Sequence, residues 1–314
     1  MGIEQTSVFA ARGKDRVFGE LRHSPNLKDN RESIEKMWKL FQPFADSDFL
    51  SKARDNDFLG CYRELYLGCS LLHQGIQIIP RKERRHQKKG SNKGPDFEIT
   101  SPLHGWIEAV TPGPGNGDDA IPAPQFGIAS SVPDDEAKLR ILTAVRAKEI
   151  KRRSYAEDGI VGPGDCYVVA INLAKAPFVN DDEPPRIVRA VLGLGLRQVS
   201  VAPESGTIRG EGWQRHKKIM RRHSGEPVST TIFHPESPDS AEYVGIAALL
   251  YSEMSPFNCI EPMFDRTRHA MGDDYRIVHN PQATPRIPTG FLKLRREYCL
   301  EGDVLKRQDW FKRA

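Results

Sequence analysis

Residues 57 to 110 alternate between a helical pattern and strand-type patterns, which limits the chain to a mixed α/β fold. Apolar residues recur at helical spacing over 57–72, and a Gly stop follows this run. Short runs with the composition of β-strands then stand at 76–79, 97–99 and 106–110. The sequence therefore predicts a helix followed by a three-stranded meander.

A second helix and a fourth strand are predicted after this meander. Residues 111–133 are saturated with Pro and Gly, so they predict a long loop. The following run, 134–155, has helical periodicity and an acidic start that suits a helix N-terminus. The apolar run 167–171 predicts a strand that could complete the sheet. Further on, 186–201 suggests a helix and a strand, and 243–251 a strand.

Length and composition favour one principal domain with additions. The chain has 314 residues, of which 38% are hydrophobic, enough for one good-sized core. We expect an N-terminal helical extension over 1–56, a core over 57–204, and a basic C-terminal extension over 205–314 packed on that core. The five cysteines include no CxxC pair, which favours a reduced interior. Neither a signal peptide nor an apolar run of ~18 residues is visible, so we expect a cytoplasmic protein without a membrane span.

Three acidic residues stand where the pattern makes a carboxylate unexpected. Glu64 shares a helix face with Leu67 and Leu71 rather than with solvent-facing charges. Asp96 opens a strand directly after a Gly-Pro pair, and Glu108 interrupts an apolar strand. In a hairpin, Asp96 and Glu108 can face each other near the strand ends. They would then offer paired oxygen ligands to a hard cation such as Mg²⁺.

Each of these acids also has an ordinary interpretation. Glu64 can be a helix-surface residue paired with a basic neighbour such as Arg63. Asp96 can be a turn former after Gly-Pro, and Glu108 can point outward from a half-exposed strand. Taken singly, these interpretations stay open, and only the order of the three acids along the predicted elements favours a common site.

This order resembles the PD-(D/E)XK, or restriction-endonuclease-like, nuclease superfamily. The shared pattern is a helix acid, a strand, Pro-Asp opening a second strand, and a Glu twelve residues later in a third strand. The resemblance covers about residues 57–172 and implies an α-β-β-β-α-β core, a small mixed sheet flanked by helices. It further implies that Glu64, Asp96 and Glu108 bind Mg²⁺, or Mn²⁺, which activates water and stabilises the phosphate.

The third motif departs from the family pattern. The family places a Lys two residues after the strand acid, and here that position is Val110. Lys148 is a candidate replacement, because it extends the apolar stripe of the helix 134–155 that should face the sheet. There it could offset charge on the scissile phosphate or orient the attacking water. Alternatively, Lys148 is a snorkelling side chain at the end of a core stripe. The weaker substitutes are Gln74, Lys93 and Lys151.

Basic residues cluster in segments that suit a polyanion, although the formal net charge is only +4. Segment 81–93 has seven Lys or Arg, one Glu and no apolar residue, so we predict a solvated loop or mobile arm. Segment 209–223 carries six Lys or Arg, and the tail 293–313 adds more. Any one cluster could equally be a solvated loop without a partner. The residues predicted to bind nucleic acid are Arg81, Lys82, Arg84, Arg85, Lys88, Lys89, Lys93, Arg215, Lys217, Lys218, Arg221 and Arg222.

These features predict a Mg²⁺-dependent phosphodiesterase acting on DNA rather than RNA, with Lys148 stabilising charge at the site. Family analogy alone adds a defence or restriction-type role and allows a homodimer, for which no heptad pattern marks an interface. One alternative is a nucleic-acid-binding protein with a degenerate nuclease core, which Val110 favours. Another is a structural or partner-binding protein in which the acids form ordinary salt bridges.

Overall fold

A central sheet with helices packed on both of its faces confirms the mixed α/β class. The computed structural model describes residues 7–80, 83–84, 93–101, 103–123, 127, 131–176, 183–258 and 271–310. The helices are α1 Arg16–His23, α2 Lys28–Phe41, α3 Phe49–Asp55, α4 Phe58–His73, α5 Asp134–Glu157 and α6 Arg186–Leu192. The strands are β1 Gln77–Ile79, β2 Phe97–Ser101, β3 Gly105–Val110, β4 Cys166–Asn172, β5 Leu194–Val201, β6 Ile208–Arg215, β7 Lys218–Met220, β8 Pro227–Ser229, β9 Ala248–Ser252, β10 Arg276–His279, β11 Arg296–Glu301 and β12 Val304–Asp309.

The sheet has the strand order β1-β2-β3-β4-β9-β10-β11-β12. Strands β1, β2 and β3 form an antiparallel meander, and β4 lies parallel to β3. From α4 to β4 the chain therefore runs through a helix, three strands, a helix and a strand. The boundaries of these six elements lie within two residues of those predicted, because their patterns depend on residues close together in the chain.

The sheet is larger than the small one predicted. Strands β9 to β12 come from the segment 205–314, and they add four strands to the same eight-stranded sheet. Strand pairing between distant segments leaves no local pattern, so periodicity could not show it. The strand predicted over 243–251 begins only at 248, because a 3₁₀ helix occupies Pro238–Tyr243 and a turn follows it at 244–245.

Two apolar cores lie on opposite faces of the sheet. Helices α1 to α4 cover one core, and α5 and α6 cover the other. Along β3, Ile107 and Ala109 belong to the first core, whereas Trp106 belongs to the second. Because side chains alternate along a strand, Glu108 shares the face of Trp106 and points toward α5.

Buried ion pairs fix the N-terminal end of α5. Arg186 is fully buried and contacts Asp134 at 3.1 Å and Glu253 at 2.9 Å. Arg189 also contacts Asp134, at 3.0 Å. Burial alone would raise the pKa of Asp134, but Arg189, Lys138 and Arg186 outweigh it and lower that pKa. These contacts hold α5 in place, so the side chains farther along it have a defined position over the sheet.

The described helices and cysteines relate to two predictions from the sequence, one on membrane spans and one on the state of the thiols. In this part of the chain no helix has both the length and the apolar character that crossing a membrane requires. Cys61, Cys69, Cys166 and Cys299 are free thiols, and Cys259 lies outside the described residues. Burial, with a further contribution from Glu64, raises the pKa of Cys61 to about 12, so this thiol stays protonated at neutral pH.

Candidate active site

Strands β2 and β3 place Asp96 beside Glu108. The register of this antiparallel pair puts Phe97 opposite Ile107. Asp96, the residue directly before β2, therefore lies opposite Glu108, on the same face of the sheet. Oδ2 of Asp96 accepts a hydrogen bond from the backbone N–H of Ala109 at 2.7 Å. The two acidic residues thus occupy opposite positions on one face of the sheet, toward the carboxyl end of β3.

Glu108 is buried and is held by two lysines of α5. Its side chain is only 1% exposed, and Oε1 accepts hydrogen bonds from Lys148 Nζ at 2.7 Å and Lys151 Nζ at 2.6 Å. Oε2 is also buried, and among the described residues it has no hydrogen-bond partner. A buried carboxylate requires positive partners, and α5 supplies them. The structure therefore brings Lys148 to the strand acid.

Lys151 contributes more to the site than the sequence suggests. Lys148 and Lys151 are three residues apart, so one face of α5 presents both to Glu108. Burial lowers the pKa of Lys151, but the hydrogen bond and the charge of Glu108 more than offset this, so that pKa is raised. Lys151 is therefore protonated at neutral pH. The sequence offers Lys151 only as a weaker substitute for the missing lysine, and the structure brings it to Glu108 together with Lys148.

Two tyrosines line the same site. The hydroxyl of Tyr155 donates to the carbonyl of Gly94 at 3.0 Å, and the buried hydroxyl of Tyr167 has no hydrogen-bond partner among the described residues. Burial, followed by the negative charge of Glu108, raises the pKa of both tyrosines. Both phenols therefore stay neutral beside the acids. Sequence reasoning missed them because a tyrosine of the core carries no distinctive local pattern.

Arg84 is buried, although the sequence predicts a solvated residue within the basic arm 81–93. It is 8% exposed and donates to the backbone carbonyls of Pro95 and Asp96, each at 2.5 Å. Its guanidinium carbon also lies over the ring of Trp106, 5.9 Å from the ring centroid. Lys93, at the other end of the arm, pairs with Asp158. The residues of the arm that lie outside the described residues include Arg81, Lys82, Arg85, Lys88 and Lys89.

Glu64 lies on α4, which packs on the opposite face of the sheet from Lys148. The negative charge of Glu64 helps to raise the pKa of Lys52 and the pKa of Cys61. Over the described ranges, no group of three or more His, Cys, Asp or Glu side chains is arranged to hold a metal ion. Metal binding by Glu64, Asp96 and Glu108 therefore stays a prediction.

Neighbouring acids pair with three of the six Lys and Arg residues in the second basic segment, 209–223. Its ion pairs are Arg215 with Asp303 at 2.6 Å, Arg221 with Asp119 at 3.7 Å, and Arg222 with Glu136 at 2.6 Å. Lys217 and Lys218 have no ion pair within the part of the chain that the structure describes. Of the residues predicted here to bind nucleic acid, these two lysines present the uncompensated charge.

A histidine connects β2 to the loop before β4, beside the candidate site. The ring of His104 lies 2.7 Å from Asp165 through Nδ1 and 3.2 Å from Glu98 through Nε2. Asp165 also accepts hydrogen bonds from Trp106 Nε1 at 2.9 Å and from Gly162 N at 2.7 Å. Burial lowers the pKa of His104, but its hydrogen bonds to the two carboxylates outweigh this and raise it. Burial raises the pKa of Asp165, but the hydrogen bonds that this carboxylate accepts outweigh burial and lower the pKa.

Replacing His104 with glutamine is expected to lower the free energy of unfolding mainly at mildly acidic pH. A raised pKa stabilises the fold fully below about 6.5, and the effect is lost as pH rises through the folded-state value. Because 42% of the side chain is exposed, we expect at most about 1 kcal/mol. Urea unfolding of both proteins at several pH values measures this. A difference that grows as pH rises would contradict the assigned role.

The arrangement around Glu108 combines two carboxylates with two cations. Mg²⁺ binds one or two carboxylates and takes its other ligands from water and substrate phosphates. Protonated lysines stabilise negative charge that develops in a reaction.

Comparison of the chain with protein-family models, with curated proteins and with solved structures finds no match.

Proposed function

We propose that this protein is a Mg²⁺-dependent nuclease that hydrolyses phosphodiester bonds in DNA and has a PD-(D/E)XK type of core. The observation that carries the proposal is buried Glu108, which lies beside Asp96 and accepts a hydrogen bond from Lys148 at 2.7 Å. The succession of helix, three strands, helix and strand from α4 to β4 supports the same assignment. A defence or restriction-type role rests on family analogy alone.

Asp96 and Glu108 fit a hard divalent cation. Oε2 of Glu108 is a buried anionic oxygen without a hydrogen-bond partner among the described residues, and leaving such an oxygen unsatisfied is unfavourable. A cation held by Glu108 and Asp96 would satisfy this oxygen and leave its other positions to water and phosphate. When bound, Mg²⁺ or Mn²⁺ lowers the pKa of coordinated water and stabilises charge on the phosphoryl group.

Lys148 supplies the positive charge that Val110 cannot supply from β3. Its ammonium reaches Glu108 from α5, so it lies next to the position that a phosphate bound at the carboxylate pair would take. There it would stabilise the charge on the phosphate oxygens during hydrolysis. Lys151 adds a second positive charge, which its raised pKa maintains at neutral pH. The neutral phenols of Tyr155 and Tyr167 add no charge to oppose the incoming phosphate.

A nucleic-acid-binding protein with a degenerate nuclease core is the second candidate. The observation that favours it is that both lysines bind the same oxygen of Glu108. Two ammonium groups neutralise this carboxylate without a metal ion, which would make the core stable but inactive. Such a protein would bind DNA and leave it intact.

Cleavage by the wild-type protein separates the two candidates. Plasmid DNA, linear DNA and RNA are incubated with Mg²⁺, with Mn²⁺ or with EDTA, and binding is followed in parallel by fluorescence anisotropy. Metal-dependent cutting of DNA supports the nuclease. Binding without cutting supports the degenerate core, and metal-dependent cutting of RNA alone would overturn the assignment to DNA.

A further inference from the structure

Two arginines flank the segment that leaves β3, and neither has an acidic partner in the described part of the chain. Arg63 of α4 donates a hydrogen bond from Nη1 to the hydroxyl of Thr111 at 3.0 Å. Arg140 of α5 has neither a hydrogen bond nor an ion pair to any described residue. In both side chains, Nε is buried and lacks a hydrogen-bond partner within the described ranges. Two guanidinium groups without an acidic partner among the described residues therefore lie along the segment that follows β3, Arg63 at Thr111 and Arg140 at Gly115.

The segment after β3 packs closely against Arg140. A Cβ atom added to Gly115 would lie 2.3 Å from Nη1 of Arg140, and the φ of +90° at Gly115 also disfavours other residues. A hydrogen bond from Ile121 N to the carbonyl of Pro114, at 2.8 Å, closes this loop. Glycine thus lets the backbone approach the guanidinium, so Arg140 lies directly against the loop that leaves β3.

An unpaired guanidinium that is partly removed from water points to an anionic ligand. Arginine is always protonated, and a partly buried charge without a counter-ion is unfavourable. Its planar fork of donors matches the oxygens of a phosphate group. We propose that Arg63 and Arg140 bind backbone phosphates of the nucleic acid on either side of the scissile position. This assignment rests on the proposed nuclease function.

The spacing along α5 suits this role for Arg140. Arg140 precedes Lys148 by eight residues, which corresponds to about 12 Å along a helix axis. Phosphates of one DNA strand advance by about 3.4 Å per nucleotide along the duplex axis. Arg140 would therefore contact a phosphate a few nucleotides from the one beside Lys148, and the bound strand would follow α5. Arg63 would contact the strand on the α4 side of Thr111.

The proposal is tested by measuring the affinity of the protein for labelled DNA and RNA duplexes. Fluorescence anisotropy gives this affinity in the presence of Ca²⁺ at several salt concentrations. Arg63→Ala and Arg140→Ala are each expected to weaken binding about tenfold and to lower the salt slope by about one. Arg146→Ala is the matched control, because Arg146 is an exposed arginine of α5 on the side of Tyr243. Thr111→Val removes the hydrogen bond of Arg63 but no charge, so its affinity should equal that of the wild type.

Each outcome bears on a distinct part of the proposal. If Arg63→Ala and Arg140→Ala bind DNA like Arg146→Ala while the wild type cuts DNA, the proposed phosphate contacts are wrong and the proposed nuclease function is supported. If the two variants bind DNA more weakly than the wild type but the wild type does not cut DNA, the phosphate contacts are supported and the proposed nuclease function is wrong. A wild type that binds neither duplex overturns both. Arg63→Lys and Arg140→Lys keep the charge and should recover most of the salt slope, which excludes a loss caused by misfolding.

Discussion

Replacing Asp96 with asparagine is expected to lower metal-dependent DNA cleavage roughly a thousandfold. The substitution removes one of the two adjacent carboxylates, whereas the amide oxygen can still accept the hydrogen bond that Ala109 N donates at 2.7 Å. The fold should therefore persist while the affinity for Mg²⁺ falls. Initial cutting rates on plasmid DNA measure the first effect, and calorimetric titration with Mn²⁺ measures the second.

Glu98→Gln provides the matched control for Asp96→Asn. Glu98 lies on β2, two residues after Asp96 and on the same face, but its partner is His104. We expect this variant to keep most of the cutting activity. Asp96→Asn protein that cuts DNA at the wild-type rate would refute the carboxylate pair as the metal site. Equal losses in both variants would indicate a general sensitivity of β2 to the loss of charge.

Replacing Lys148 and Lys151 together with methionine is expected to lower the free energy of unfolding by about 3 to 5 kcal/mol. Glu108 is 1% exposed, so the double variant would leave a buried carboxylate without its two positive partners. Lys151 is half exposed, so its single replacement should have the smaller effect. Urea unfolding at neutral pH measures these changes, and cleavage assays on the Lys148→Met variant test its catalytic role separately.

A third substitution tests whether the buried charge of Glu108 causes the lost stability. Adding Glu108→Leu to the two methionines removes the buried charge as well, so most of the lost stability should return. If the triple variant is as unstable as the double variant, the lost stability does not come from an unpaired charge on Glu108. A double variant as stable as the wild type would show that Glu108 needs neither lysine.

Elements whose patterns are local could be read from the sequence. The helix α4 and the strands β2 and β3 lie within two residues of their predicted ranges. The approach of Asp96 to Glu108 could also be anticipated, since a short connection between two strands limits their register. Lys148 could be placed on the inner face of its helix from the apolar stripe alone.

Features that depend on distant segments could not be read in this way. Strand β4 pairs with β9, which begins at Ala248. Neither sequence segment contains a pattern that predicts this pairing. The basic arm illustrates the same limit for charge. A run of cations predicts exposure, but Arg84 is buried because the carbonyls of Pro95 and Asp96 accept its hydrogen bonds.

The sequence by itself determined the α/β class, the order of elements from α4 to β4, and the adjacency of Asp96 and Glu108. Periodicity and hairpin register depend on residues near each other in the chain, so a single sequence contains them. Only the tertiary structure decided the size of the sheet, the pairing of Lys151 with Glu108, and the absence of acidic partners for Arg63 and Arg140 among the described residues. Burial and ion pairing depend on which distant elements pack together, and that information lies in the folded chain.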